Sequence, residues 1–192
     1  MNNIRAREKH GIVRPDMIHL LLEARKNGET QNVQDQDIIA QALSFLFAGF
    51  DSVSALMCFM SHELAVNPDV QQRLIQEVDE TAEACNGKVT YEALHGMKYM
   101  DMVVSETLRK WPAAVATERV CTKSYTIEPK FPDEKPIHLE KNAVVWVLIF
   151  GLHRDPQYYP EPERFDPERF SDENKASVKP YTYLPFGSGP RN

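Results

Sequence analysis

Residues 38–60 read IIAQALSFLFAGFDSVSALMCFM, almost unbrokenly apolar, and the pattern continues until Asn67-Pro68 interrupts it. A helix of about 30 residues is roughly 45 Å long, so this segment is either the central beam of a helical domain or a membrane span. About 20 apolar residues suffice to cross a bilayer. Asp51 stands near the middle, however, and a carboxylate there costs about 2.5–3.5 kcal/mol on insertion. A helix buried in protein is therefore expected. On a helical wheel Gln41, Ser44, Ala48, Ser52 and Ala55 share one stripe, with Leu43, Leu46, Phe47, Phe50, Val53 and Met57 opposite. One face is flat and small; the other is bulky.

Other elements are arranged around this beam. Helical spacing runs from Pro15 to Lys26 through Ile18, Leu21 and Leu22, with Asn27-Gly28 as a stop and the polar linker GETQNVQDQD after it. Asn67 is the expected cap of a new helix with Pro68 at its first position, Val70, Leu74 and Val78 as its buried stripe, and Asn86-Gly87 as its end. Thr90 caps a short turn. A further helix is expected over 97–111, stopped by Pro112, with Met100, Val103, Val104, Thr107 and Trp111 as its apolar face. From Glu118 the β-branched and aromatic runs RVCTKSYTIEP and PIHLEKNAVVWVLIFGLHRDP predict short strands. Residues 155–192 are proline-punctuated, aromatic coil. The expected fold is mainly α with a small β element (α+β): 1–111 helical, with the long central helix over about 36–66, short strands over 112–154, and irregular coil over 155–192. At 192 residues the chain is one domain or part of a larger one.

Charge and composition narrow the chemistry. With 28 acidic against 22 basic residues and no basic block interleaved with aromatics, nucleic acid is not an expected partner. Cys58, Cys85 and Cys121 are odd in number and far apart, forming neither a disulfide framework nor a C-x-x-C pair. No protein-only metal site is expected. The charged start MNNIRAREKHG is unlike a signal peptide.

Four stretches carry candidate chemistry. In AGFDSVS, Gly49 costs roughly 1 kcal/mol against alanine in mid-helix, and a buried aspartate costs more unless compensated. Ala48 and Gly49 leave room for a flat object, and Asp51 and Ser52 set a carboxylate beside a hydroxyl; the plainer alternative is a close helix crossing with a capped aspartate. In ETLR, Glu106 and Arg109 are neighbours on one helix, opposite its apolar face, where a surface pair is worth at most about 1 kcal/mol. Met102 shares that face, which hints that it is covered. In EPERFDPERF, Arg169 is held on proline-stiffened turns suited to a bidentate carboxylate partner; a solvent-facing arginine is the alternative. In PFGSGPRN, Gly187-Ser188-Gly189 lacks the spacing and the following helix of a serine-nucleophile elbow.

In this order the segments resemble the cytochrome P-450 family of heme-thiolate monooxygenases. AGFDSVS is similar to the family's long central helix, ETLR to its E-x-x-R helix, FDPERF to its P-E-R-F segment, and PFGSGPR to the start of F-x-x-G-x-R-x-C-x-G. GIVRPDMIHLLLEARK and LSFLFAGFDSVS look most like insect microsomal members of family nine. The resemblance implies that Glu106, Arg109 and Arg169 form a structural triad beneath the heme. It implies that Asp51 and Ser52 are the acid–alcohol pair conveying protons during oxygen activation, with serine in place of the usual threonine. Arg119 and Arg191 fall where basic residues meet the heme propionates. Ala48, Gly49, Phe186, Gly187 and Gly189 would lie against the porphyrin, the glycines admitting close backbone. Phe45, Phe50, Ala113, Ala114, Val115 and Ala116 would line a pocket for a lipophilic substrate.

The implied cofactor is heme (iron protoporphyrin), with electrons from NADPH through a flavoprotein reductase and one atom of dioxygen inserted into a xenobiotic or endogenous small molecule. The implied setting is the cytosolic face of the endoplasmic reticulum (microsomal) membrane, through an anchor in an N-terminal segment missing from this chain. The pattern departs from the family at one point: the proximal cysteine is expected immediately after Asn192, and the three cysteines present lie elsewhere. The expectation is a fragment of a longer enzyme, inactive by itself. The alternative is a truncated, non-catalytic interaction protein that keeps the scaffold without heme.

Overall fold

The computed structural model describes residues 2–26 and 34–189. They fall into two compact units, Met1–Ser54 and Ala55–Asn192, with the boundary inside one helix. The Asn27-Gly28 stop lies outside the described residues.

The first unit contains α1 (Asn2–His10), α2 (Met17–Lys26) and the first part of α3 (Asp35–Val66). The sequence reading gives 1–111 as helical without singling out α1. Its Arg7 donates to both carboxylate oxygens of Asp16 at 2.7 Å, and Asp16 Oδ1 also accepts the His19 amide at 3.0 Å. Asp16 thus caps α2, which begins after Pro15 rather than at it. The hydrogen bond from Arg7 holds the Asp16 carboxyl down at about 2. Ile4, Leu22 and Ile38 form the buried cluster of this unit. At the start of α3, Asp37 reaches back to accept the Gln34 amide at 2.8 Å, half of a capping box.

The expected burial of α3 is not met. Phe45, Phe50 and Met57 are 63%, 67% and 58% exposed. The helix is long and apolar enough to cross a bilayer by length and composition. The physical reason for its exposure is geometric: among the described residues of the first unit, its opening turn, at Ile38 and Ile39, is the part that packs on the other helices, and in the second unit its closing turns pack through Met60 and Leu64. The crossing suggested as the plainer explanation of Gly49 is absent among the described residues, since a Cβ there would meet nothing within 4 Å.

The second unit continues with α4 (Pro68–Ala84), α5 (Tyr91–His95) and α6 (Lys98–Lys110). Val70 and Leu74 of α4 pack on Tyr99, Met102 and Val103 of α6 and on Phe165; Val78, expected in the buried stripe, is 39% exposed. Asn67 precedes α4 but does not cap it through its side chain. Its amide turns back and donates to the Glu63 carbonyl at 2.8 Å. Thr90 does cap α5, accepting the Ala93 amide at 3.2 Å, and Asn86 and Gly87 take positive φ after α4. Glu63, buried near the end of α3, accepts the Trp111 indole N–H at 2.7 Å and pairs with Lys110 at 3.0 Å.

Four short strands follow: β1 (Thr117–Val120), β2 (Tyr125–Ile127), β3 (Ile137–Leu139) and β4 (Val144–Val147). They form two nested antiparallel pairs, β1 with β4 (Arg119 opposite Val145) and β2 with β3 (Thr126 opposite His138). Within the stretch PIHLEKNAVVWVLIFGLHRDP, expected to hold short strands, the apolar run leaves the strand after Val147 and enters the helical turn α7 (Ile149–Leu152), where the Phe150 amide donates to the Val115 carbonyl at 3.0 Å. A short apolar run does not distinguish strand from buried turn by periodicity. The remaining coil is ordered by two 3-10 turns, Pro167–Phe170 and Lys175–Ser177.

Candidate functional site

Glu106 and Arg109 stand three apart on α6, and both side chains are completely buried. Arg109 donates through Nε to Glu106 Oε2 at 2.7 Å and through Nη2 to Oε1 at 2.9 Å. The same guanidinium donates to the carbonyls of His153 and Pro162, each at 2.8 Å. Glu106 Oε1 also accepts the Asp166 amide at 2.9 Å. One ion pair thus gathers three points of coil from 44 to 60 residues away. Helical spacing set this pair on an outer face; the coil covers that face. Met102, between them, is buried as well.

Burial pushes the Glu106 carboxyl up, and the bonds from Arg109 and Asp166 pull it back. Arg169 comes within 3.6 Å of Glu106 Oε1, an ion-pair distance rather than a hydrogen bond; its Nε has no hydrogen-bond partner, while its Nη2 donates to the Glu161 carbonyl at 3.1 Å. The structure brings the three residues together, with the bidentate role taken by Arg109.

A second assembly surrounds the glycines. The Leu184 carbonyl accepts the Gly187 amide at 3.1 Å, closing a turn over Pro185-Phe186. Gly187 has φ +76 and open space at its Cβ position, and Gly189 has φ +153, so both need glycine. Arg119 donates to the Ser188 carbonyl at 2.9 Å, to Glu118 O at 2.8 Å and to Thr117 Oγ1 at 3.1 Å. A Cβ on Gly189 would sit 3.6 Å from its Nη2. Phe186 is 76% exposed. Arg191 lies outside the described residues.

In the first unit, Asp51 is exposed, and Ser52 donates to the Ala48 carbonyl one turn earlier at 2.5 Å, back-bonding that satisfies a hydroxyl within its own helix. Phe45 and Phe50 of that unit are exposed. In the second, Ala113, Ala114 and Val115 are exposed and Ala116 is partly covered.

No cluster of three or more His, Cys, Asp or Glu side chains suited to a metal ion occurs among the described residues; Glu92 and His95, three apart in α5, stand without a third ligand. His153 went unremarked in the sequence, yet it is fully buried between α6 and the coil. Its only signal was a histidine closing a long apolar run.

Comparison with known proteins bears on these features together. The cytochrome P450 family model matches residues 2–192. Cytochrome P450 9e2 of Blattella germanica is 54% identical over the whole of this chain. Probable cytochrome P450 9f2 of Drosophila melanogaster is 49% identical over the whole chain, and cytochrome P450 9b2 of the same organism is 51% identical over 97% of it. All three carry the family-nine designation. The chain spans 38%, 38% and 37% of the lengths of these relatives. The match over residues 2–192 and the half-identical relatives agree: the chain belongs to the cytochrome P450 family and resembles its insect family-nine members.

Proposed function

We propose that this chain is part of a single-domain, heme-dependent monooxygenase that inserts one atom of dioxygen into a lipophilic small molecule, with electrons delivered from NADPH by a flavoprotein reductase. The observation that carries this reading is the buried Glu106–Arg109 pair, which collects the coil running up to the glycine turn. The residues present fit a flat, anionic macrocycle. Gly187 leaves open space, and the three bonds Arg119 makes use three of the five N–H donors of a guanidinium, leaving others for a carboxylate. Bound there, a thiolate-ligated heme supplies the electron push that favours O–O cleavage.

In this reading Arg119 and Arg191 hold the propionates, while Phe186, Gly187 and Gly189 shape the loop against the ring. Ala48 and Gly49 admit the opposite face, Asp51 and Ser52 move protons, and Phe45, Phe50 and residues 113–116 line the substrate pocket. Arg169 completes the structural triad with Glu106 and Arg109. None of Cys58, Cys85 and Cys121 stands in the glycine loop, so residues 1–192 alone are inactive in this reading. The enzyme works at the endoplasmic reticulum membrane.

The test is the absorption spectrum of the reduced full-length protein under carbon monoxide. A red-shifted Soret band of the thiolate type is expected. A folded, heme-loaded protein without that band sinks the monooxygenase reading and leaves a non-catalytic scaffold.

A further inference from the structure

His153 uses both of its ring nitrogens inside the core. The Leu184 amide donates to Nε2 at 2.8 Å, so Nε2 carries no proton. Nδ1, 3.1 Å from the Arg109 carbonyl oxygen, therefore holds the proton and donates to that oxygen. The ring stacks on Tyr183 at 5.5 Å and meets Tyr159 edge-on at 6.3 Å. Tautomer and orientation are thereby fixed from four sides. Leu184, bound at its N–H by His153, also closes the turn into Gly187 through its carbonyl.

We infer that His153 is a positioning residue: its neutral ring ties the C-terminal turn of α6 to Leu184 and so fixes where the glycine loop begins. The clamp stands on geometry alone; its consequence for a bound cofactor rests on the monooxygenase reading. A doubly protonated ring would set N–H against N–H at Leu184, so the clamp holds only while the ring is neutral. The charged or titratable groups facing it are Arg109 of α6, its neighbour Arg154, and Tyr159 and Tyr183 of the coil. None is an anion that would favour protonation. Burial, assisted by the two arginines, lowers the ring to about 4.

The experiment is amide hydrogen exchange in the full-length, heme-loaded protein carrying His153→Phe or His153→Gln. A ring that only filled space would make Phe the better substitute. A positioning ring makes Gln the better one, because the Gln amide oxygen can accept from Leu184. In His153→Phe the Leu184 and Gly187 amides are expected to exchange at least ~10-fold faster while Leu74 in the core is unchanged; in His153→Gln they stay within about threefold of wild type. The thiolate-type spectrum under carbon monoxide should weaken in the Phe variant and persist in the Gln variant. Leu184 protection in Phe equal to or better than in Gln overturns the inference. Should His153→Phe fail to fold, His153→Asn, which reaches Arg109 but not Leu184, takes its place, and an unloosened Leu184 amide is then the overturning result. Failure of the monooxygenase reading looks different: wild-type protein takes up no heme while its Leu184 amide remains protected.

Discussion

Arg109 embraces Glu106 in a two-pronged bond of 2.7 and 2.9 Å with neither side chain reaching solvent. Such a pair is poor evidence for net stability, since desolvation offsets most of the attraction, but removing one partner strands a buried charge at about 3–5 kcal/mol. Glu106→Gln is expected to cost that much in urea denaturation of the full-length protein. Arg109→Lys keeps the charge but not the fork that reaches Glu106, His153 and Pro162 together, so it is expected to fall nearly as far. The double variant Glu106→Leu/Arg109→Met should be more stable than the sum of the single losses; strict additivity would mean that the two residues do not act as a unit.

A carboxylate from another helix caps α6. Glu77 of α4 accepts the Tyr99 and Met100 amides, each at 2.8 Å, where the helix's own N-cap residue, Met97, offers no side-chain bond. Glu77→Ala is expected to cost about 1–2 kcal/mol. Glu77→Gln keeps one acceptor and loses the charge at the helix N-terminus, so about half of that is expected. Both should shift the urea midpoint without altering its slope; a change of slope would mean that the denatured state, not the cap, was affected.

The two carboxylates show what one chain reveals about its fold and what it hides. Local signals were legible: Thr90 bonds to Ala93, Asn86 and Gly87 take the left-handed turn, and α4 starts at Pro68. Each is decided within a few residues. Periodicity failed where an element has two buried faces, because it reports only the more apolar one. On α6 that hid Glu106 and Arg109, whose partners lie 44 to 60 residues away. Asn67 has the right identity for a cap but found a better partner in the preceding turn at Glu63. Resemblance to a family pointed to cover for the Glu106–Arg109 pair that spacing had set on the surface, yet offered nothing on His153, Glu77 or Glu63. Their roles arise from tertiary hydrogen bonds with no sequence period.

Ser52 donates its hydroxyl proton to Ala48 O at 2.5 Å, and without a γ-methyl its rotamer is less restrained than that of threonine. If it relays protons as proposed, Ser52→Thr should raise the share of NADPH consumption that appears as product, and Asp51→Asn should lower the product rate by about 10²-fold. Both follow from comparing product formed with NADPH oxidised in the reconstituted full-length enzyme. Unchanged stoichiometry and rate in both variants would remove the pair from the proton path.

Acid sensitivity should separate into two windows. His153 is held neutral in the fold at about 4 by burial, below the ordinary value of about 6.5. The unfolded chain therefore takes up a proton first as pH falls. The stabilisation from the neutral ring is complete above about pH 6.5, declines through the interval down to 4, and is gone below it, a loss on the order of 3 kcal/mol. Asp16 and Asp172 behave otherwise: Arg7 holds the first, and Lys175 and Lys98 hold the second, at about 2. Their contribution persists above the ordinary carboxylate range and is lost only as pH falls from about 4 toward 2. Urea midpoints measured from pH 7.5 to 4 for wild type and His153→Gln isolate the first window. The wild-type midpoint should fall more steeply with acid than the variant's, and the two curves should run parallel above pH 7; equal slopes from 6.5 to 4 would show that His153 accepts its proton without cost to the fold.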